Sequence, residues 1–267
     1  MEEMDHHFLT DDGIKHHLAK MLKDVDDFCR LNNITYFLAW GTLIGAVRHH
    51  GFIPWDDDID IWMPRPDYDR FISLFNHPVY TFQCMETDCL FPLCFGKICD
   101  LNYSAVDELG KDFGLFIDVF PLDGLPKSSS QISKHIRRIR RVEKVWSNQV
   151  LSSKRPLSSD NSFGKNLKII VGKVLHLFIP VSYIVRTYLR VSKLFDYYSS
   201  ERVIDLSTNI IFDKRDFSSS IRGLFEGTVF PIPVGYDSLL RSYYGDYMKL
   251  PKEEERYSHG IKAYLKV

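Results

Sequence analysis

Behind Thr10, a residue suited to cap a helix, apolar side chains recur at Ile14, Leu18, Met21, Leu22, Val25 and Phe28. That spacing predicts a helix, ended by Asn32-Asn33. The pattern then changes. "ITYFLAW" (34–40) is β-branched and aromatic and predicts a strand broken at Gly41, and "TLIGAVRHH" (42–50) predicts a short helix. In "WDDDIDIWMP" (55–64), Ile59, Ile61 and Met63 alternate against acids, which predicts a strand ending at Pro64. A helix follows from Asp67 to about Phe75. "VYTFQC" (79–84), "LCFGKIC" (93–99) and "GLFIDVFPL" (114–122) read as strands, and "LDGLP" (122–126) as a turn. Helices are predicted over 128–151 and 165–198, separated by a polar loop at 152–162. A Pro-rich extended lead-in at 229–234 precedes a helix at about 236–244. These elements predict an α+β chain, a mixed β-sheet flanked by helices, with strands concentrated in the first 125 residues. The expected division is 1–126 for a catalytic core, 127–220 for a mainly helical basic subdomain, and 221–267 for a C-terminal segment returning to the core.

Charge sharpens that division. The 267 residues carry 34 Lys/Arg and 35 Asp/Glu, a net of -1. Residues 127–193 hold fifteen Lys/Arg against only Glu143 and Asp160, a net of +13, so the remainder holds -14. A basic middle segment predicts an anionic contact, either the inner face of a membrane or an anionic acceptor. For a membrane, Leu175, Phe178, Ile179, Ile184 and Leu189 would form the apolar side. No nucleic-acid recognition motif accompanies the cations. The longest uncharged apolar run, "VLHLFIPVSYIV" (174–185), is too short to span a bilayer. With five cysteines and an acidic, polar opening, the expectation is a reduced, cytoplasmic protein, peripherally associated with membrane at most.

The excess acids gather at "WDDDID". If the strand extends back to residue 56, Asp56, Asp58 and Asp60 share one face and Asp57 points away. Like charges so close require a counter-charge, and oxygen-only ligands select a hard divalent ion, Mg²⁺ or Mn²⁺. Asp118, alone in the apolar run "FIDVF", supplies an acid from a second strand. Gly41-Thr42, at a strand-to-helix junction, offers backbone N–H groups to a phosphate, and Arg48 a fork contact. Lys97 in "LCFGKIC" is either a further phosphate-binding cation or a snorkelling edge lysine. Asp123 reads as a turn residue.

The stretch 36–71, "YFLAWGTLIGAVRHHGFIPWDDDIDIWMPRPDYDRF", resembles the signature of LicD-type proteins, bacterial phosphocholine transferases of surface glycans related to fukutin and fukutin-related protein. "FGKICD", "GLFIDVFPLDGLP" and "VFPIPVGYDSLLRSYYGDYMKLP" resemble later blocks in the same order. The resemblance implies a nucleotidyltransferase-type fold, with Gly41-Thr42 as its turn, Asp58 and Asp60 as its acid pair, and Asp118 as its third acid. Asp57 departs from the pattern, which has an apolar residue there, and Asp56 offers a second choice of pair. The implied reaction moves phosphocholine, or a related phospho-alcohol, from a CDP-linked donor such as CDP-choline to a hydroxyl of a glycan, lipopolysaccharide or teichoic acid precursor. CMP leaves. An enzyme moving NMP and releasing pyrophosphate, and a non-catalytic membrane or polyanion binding module, are the alternatives.

A choline headgroup calls for aromatic side chains, for which Trp55, Trp62, Tyr243, Tyr244 and Tyr247 are candidates. Cys84, Cys89, Cys94 and Cys99 recur every five residues, a spacing that disfavours zinc. His6-His7 and His16-His17 read as solvated. His49, His50 and His259 are candidates for touching substrate.

Overall fold

The computed structural model describes residues 8–105, 112–154, 162–258 and 260–266. His6, His7, His259 and most of the polar loop at 152–162 lie outside the described residues, as do the side chains of Lys165 and Leu175. In chain order the elements are α1 (Asp11–Leu31), β1 (Phe37–Leu38), α2 (Trp40–Ile44), β2 (Asp60–Pro64), α3 (Arg65–Leu74), β3 (Tyr80–Gln83), β4 (Gly96–Asp100), β5 (Tyr103–Ala105), β6 (Leu115–Gly124), α4 (Ser129–Lys154), α5 (Phe163–Phe178), α6 (Val181–Ser192), β7 (Arg202–Asp205), β8 (Ile210–Asp213), β9 (Ser220–Phe225), β10 (Thr228–Pro233), α7 (Tyr236–Tyr244) and β11 (Ala263–Leu265). The fold is α+β with a mixed sheet, as the patterning predicts. Five strands lie beyond residue 200, however, so strands are not confined to the first 125 residues.

The chain packs into two units, one of the described residues of Met1–Phe82, Gly96–Leu122 and Phe212–Val267, the other of Gln83–Phe95 and Asp123–Ile211. In the first, Thr10 Oγ1 accepts the Gly13 N–H at 3.1 Å and caps α1. Ile14, Leu18, Met21, Leu22, Val25 and Cys29 are buried along one face, the aliphatic residues and Met21 each contributing roughly 1.5–3 kcal/mol of apolar burial. Phe28 is half-buried and meets Phe71 and Phe75 edge-on. Asn32 and Asn33, the latter at φ 51°, end the helix.

The sheet runs β1-β2-β6-β4-β3, with β2 parallel to β6 and β4 antiparallel to it. β1 is shorter than predicted, because Ala39 already accepts the first helical hydrogen bond, from Leu43 N–H. α3 begins at Arg65, two residues early, since Pro66 fits the first turn of a helix, where a missing N–H costs nothing. β9 and β10 form a hairpin whose turn residues, Glu226 and Gly227, have φ of 48° and 72°. Two consecutive positive values define the turn type that matches strand twist. His17, expected to be solvated, bonds Asp100 at 3.0 Å between Nε2 and Oδ2, because α1 runs past the end of β4.

In the second unit, Ile132, Ile139 and Trp146 of α4 pack with Val181, Ile184, Val185 and Tyr188 of α6. The helix predicted over 165–198 is two helices, broken at Pro180, which heads α6. The predicted turn at 122–126 is strand as far as Gly124, and Leu125 N–H still donates to Arg202 O. Asp123 is therefore a buried strand residue, 1% exposed.

Candidate active site

Three strands carry one charged residue each to the same row. In the parallel pairing of β2 and β6, Asp60 stands directly opposite Asp118. In the antiparallel pairing of β6 and β4, Asp118 stands opposite Lys97. Residues directly opposite share a face, while Ile59, Ile61, Ile117, Val119 and Ile98 alternate away from them into the core. Asp60 and Asp118 are each 9% exposed and Lys97 4%. Lys97 Nζ donates to Asp118 Oδ1 at 2.6 Å and sits 3.3 Å from the Phe116 ring centroid. β4 is an inner strand, so Lys97 is buried and paired with an acid of the row. It does not snorkel from a sheet edge.

Backbone bonds clamp Asp60. Ala39 N–H donates to Asp60 O at 2.9 Å, and Asp60 N–H to Thr42 Oγ1 at 2.9 Å. Next to it on β6, Asp118 N–H donates to Ile59 O at 2.9 Å. Thr42 is 2% exposed and its hydroxyl is spent on the start of β2, so it positions an acid. Gly41 has a different role. A Cβ there would meet Asp56 Oδ2 at 2.5 Å. Glycine lets this carboxylate close on the start of α2, where a phosphate was expected. Just before Gly41, Trp40 holds φ 41°, rare for a residue with a Cβ, and its buried indole N–H has no hydrogen-bond partner.

The strand begins at Asp60, so Asp56 and Asp58 do not reach the site by strand alternation. They reach it from the irregular segment before β2, where their carboxyl groups hydrogen-bond each other. Burial, then the charge of Asp58, pushes the Asp56 carboxyl up to about 8, against the pull of Lys15. Burial also raises Asp60 well above the carboxylate range, followed by Asp58, Asp118 and Asp56, with Lys97 opposing. Asp57 does turn away: its Oδ2 accepts from Ser258 Oγ at 3.1 Å and Ile261 N–H at 2.9 Å, pinning the C-terminal segment. Those two bonds account for an acid where the family pattern has an apolar residue.

The site is thus four carboxyl groups facing two lysines, with oxygen donors suited to a hard divalent ion. In this arrangement Asp118 is turned to Lys97 and Asp56 to Asp58, and no three acids, histidines or cysteines among the described residues are gathered closely enough to hold a metal.

Arg48 is elsewhere. Its guanidinium donates to Tyr247 O and borders a cleft of about 570 Å³ with Trp55, Tyr244, Lys249 and Lys252. Trp55 lies under the Arg256 guanidinium, 4.7 Å from its centroid. Tyr244 links the cleft to the acids: after burial, the charge of Asp60 holds its phenol well above the usual range, with Asp56 and Asp58 adding to it. Of the other aromatic candidates, Tyr247 lines the same cleft, Tyr243 is half exposed, and Trp62 is in the core. Trp62 is 1% exposed among Trp40, Phe212 and Phe217, and Tyr247 donates its hydroxyl to Asp237 at 2.8 Å. Tyr243 packs on Trp40. His49 lies beside Arg48 at the end of a π-helical turn, Gly45–His49, and His50 faces Ala46 O at 3.3 Å. Cys84, Cys89, Cys94 and Cys99 form no disulfide among the described residues. Lys15 escaped the sequence reading, because only the packing of α1 brings it to Pro54 O, at 2.9 Å, beside Asp56.

Residues 33–135 match the family described as LicD/FKTN/FKRP, nucleotidyltransferase domain. The lipopolysaccharide cholinephosphotransferase LicD of Haemophilus influenzae is 32% identical over 252 residues, 89% of this chain and 91% of that protein. An uncharacterized protein of Rickettsia typhi is 46% identical over 106 residues, 40% of this chain and 34% of that one.

Proposed function

This chain belongs to the LicD family, and from that premise we propose that it is a cholinephosphotransferase acting on a lipopolysaccharide or related surface glycan. The donor in this reading is CDP-choline or another CDP-alcohol. The acceptor hydroxyl attacks the phosphorus next to choline, an O–P bond forms, the bond to the bridging diphosphate oxygen breaks, and CMP leaves with that oxygen. The observation that carries the reading is the register of β2 against β6, which sets Asp60 opposite Asp118. It is supported by the 32% identity to the Haemophilus influenzae enzyme.

Asp58, Asp60 and Asp118 would hold Mg²⁺ or Mn²⁺, whose charge would stabilise the diphosphate, only once Asp118 turns from Lys97 and the three carboxylates draw together. Asp118 and Asp56 are the groups placed to accept the acceptor's proton, Asp56 being the stronger base because burial and the charge of Asp58 raise it. Lys97 keeps the Asp118 carboxyl oriented in the row. Arg48, Lys249 and Lys252 line the cleft together with Asp246 and Glu255 and are its groups for a departing phosphate, and Trp55 and Tyr244 give it aromatic faces for a quaternary ammonium.

The test is incubation with CDP-choline, CDP-ethanolamine and CDP-ribitol, with and without Mg²⁺, followed by measurement of CMP and pyrophosphate. CMP release that needs the divalent ion and an acceptor supports the reading. Pyrophosphate from a nucleoside triphosphate and phosphocholine would instead identify an NMP transferase. Absence of both products with every donor and acceptor tried, from folded protein, would return the chain to a binding role.

A further inference from the structure

In the second unit α5 buries Ile169 but turns a different side to solvent. Leu167, Ile170 and Val171 are 47%, 45% and 48% exposed, and Phe178 is 78% exposed. At 3.6 residues per turn these four lie within one arc of about 100°. Lys168 and Lys173, both exposed, flank it on either side. α4, which packs against α5, exposes Lys134, Arg137, Arg138, Arg141 and Lys144 at spacings of three and four, so the five share a face. Its acid, Glu143, is engaged by Arg140. α6 exposes Tyr183 and, one and two turns on, Arg186 and Arg190.

An apolar arc rimmed by cations is the pattern of a helix lying in a lipid headgroup layer, with Phe and Leu at the acyl boundary and Lys and Arg at the phosphates. A second copy of the chain is a poor occupant, because it would bring the same cations to the contact. A spanning role is also closed to these helices: none among the described residues is long and apolar enough to cross a membrane. We propose that the exposed face of α5, together with the cations of α4, seats this protein on the anionic lipids of a membrane surface. No residue of the carboxylate site takes part, and binding is measured without substrate, so this inference and the proposed reaction fail separately.

The experiment is co-sedimentation of the full chain with vesicles of phosphatidylcholine alone and of phosphatidylcholine mixed with phosphatidylglycerol, at low and high salt. Binding should require phosphatidylglycerol and weaken by about tenfold or more at high salt. Ile170→Glu with Val171→Glu, and separately Lys134→Glu with Arg138→Glu and Arg141→Glu, should each lower partitioning by about tenfold or more while circular dichroism is unchanged. Should a multiple variant unfold, Phe178→Trp still reads the contact, since its emission after subtracting that of the parent protein, which carries four tryptophans, should shift to the blue on adding anionic vesicles. No sedimentation of the parent protein at low salt, equal sedimentation of folded variants, or an unmoved emission from the Phe178→Trp protein overturns the proposal. Capture by dextran sulfate without vesicle binding does so too, and assigns the cations to a polyanion.

Discussion

The two units handle charge in opposite ways. In the first, Asp60, Asp118 and Lys97 are inserted into a buried strand row, where register fixes each against the next and water does not screen them. In the second, Lys134, Arg137, Arg138, Arg141 and Lys144 stand on the open face of one helix. Buried charges are few, geometrically determined and expensive to misplace. Exposed ones are many, interchangeable and sensitive to salt. The first unit therefore has the properties of a chemical site, and the second those of a surface acting by summed attraction.

Substitutions should expose that contrast, most strongly in the row. Asp60→Asn keeps the shape and removes a carboxyl whose ionisation is opposed by burial and by Asp58, Asp118 and Asp56. Turnover should fall by about 10²–10³-fold or more, with thermal stability unchanged or higher because repulsion is relieved. Near-parental turnover would detach the row from catalysis. Lys97→Met leaves Asp118 buried without its lysine and should cost about 3 kcal/mol in urea unfolding. Adding Asp118→Asn should restore part of that loss, as a double-mutant cycle would record. Gly41→Ala places a methyl at the Asp56 carboxylate, and displacement of that group should lower kcat by about tenfold or more. Thr42→Val removes the acceptor for Asp60 N–H and should cost about 1–2 kcal/mol. At the small end, Arg138→Glu or Arg141→Glu should change stability by about 0.5 kcal/mol or less. A large loss there would mean the α4 face is not the solvated surface that distinguishes it from the row.

Elements whose signals are local follow the sequence reading closely. Thr10 and the i, i+3, i+4 apolar positions predict α1, Asn32-Asn33 its end, and 236–244 predicts α7. Misread elements are those where a local signal had a nonlocal answer. "LDGLP" has turn composition yet continues β6, because Leu125 finds a partner at Arg202. "VSYIV" continues an apolar helical pattern, but Pro180 cannot supply the N–H that would join α5 to α6.

The site divides in the same way. Residue types and their short-range order already supply the available groups: a clustered set of acids before one strand, a lone acid inside another, a lysine within an apolar run, and a basic middle segment. Composition and local periodicity belong to the chain wherever it goes. Which of these groups meet is a matter of folding. Strand pairing set Asp60 against Asp118 and gave Lys97 to Asp118, helix packing brought Lys15 to Asp56, and the C-terminal segment claimed Asp57 and Arg48. Register and packing are relations between distant parts of the chain, and their energies exist only once those parts are in contact.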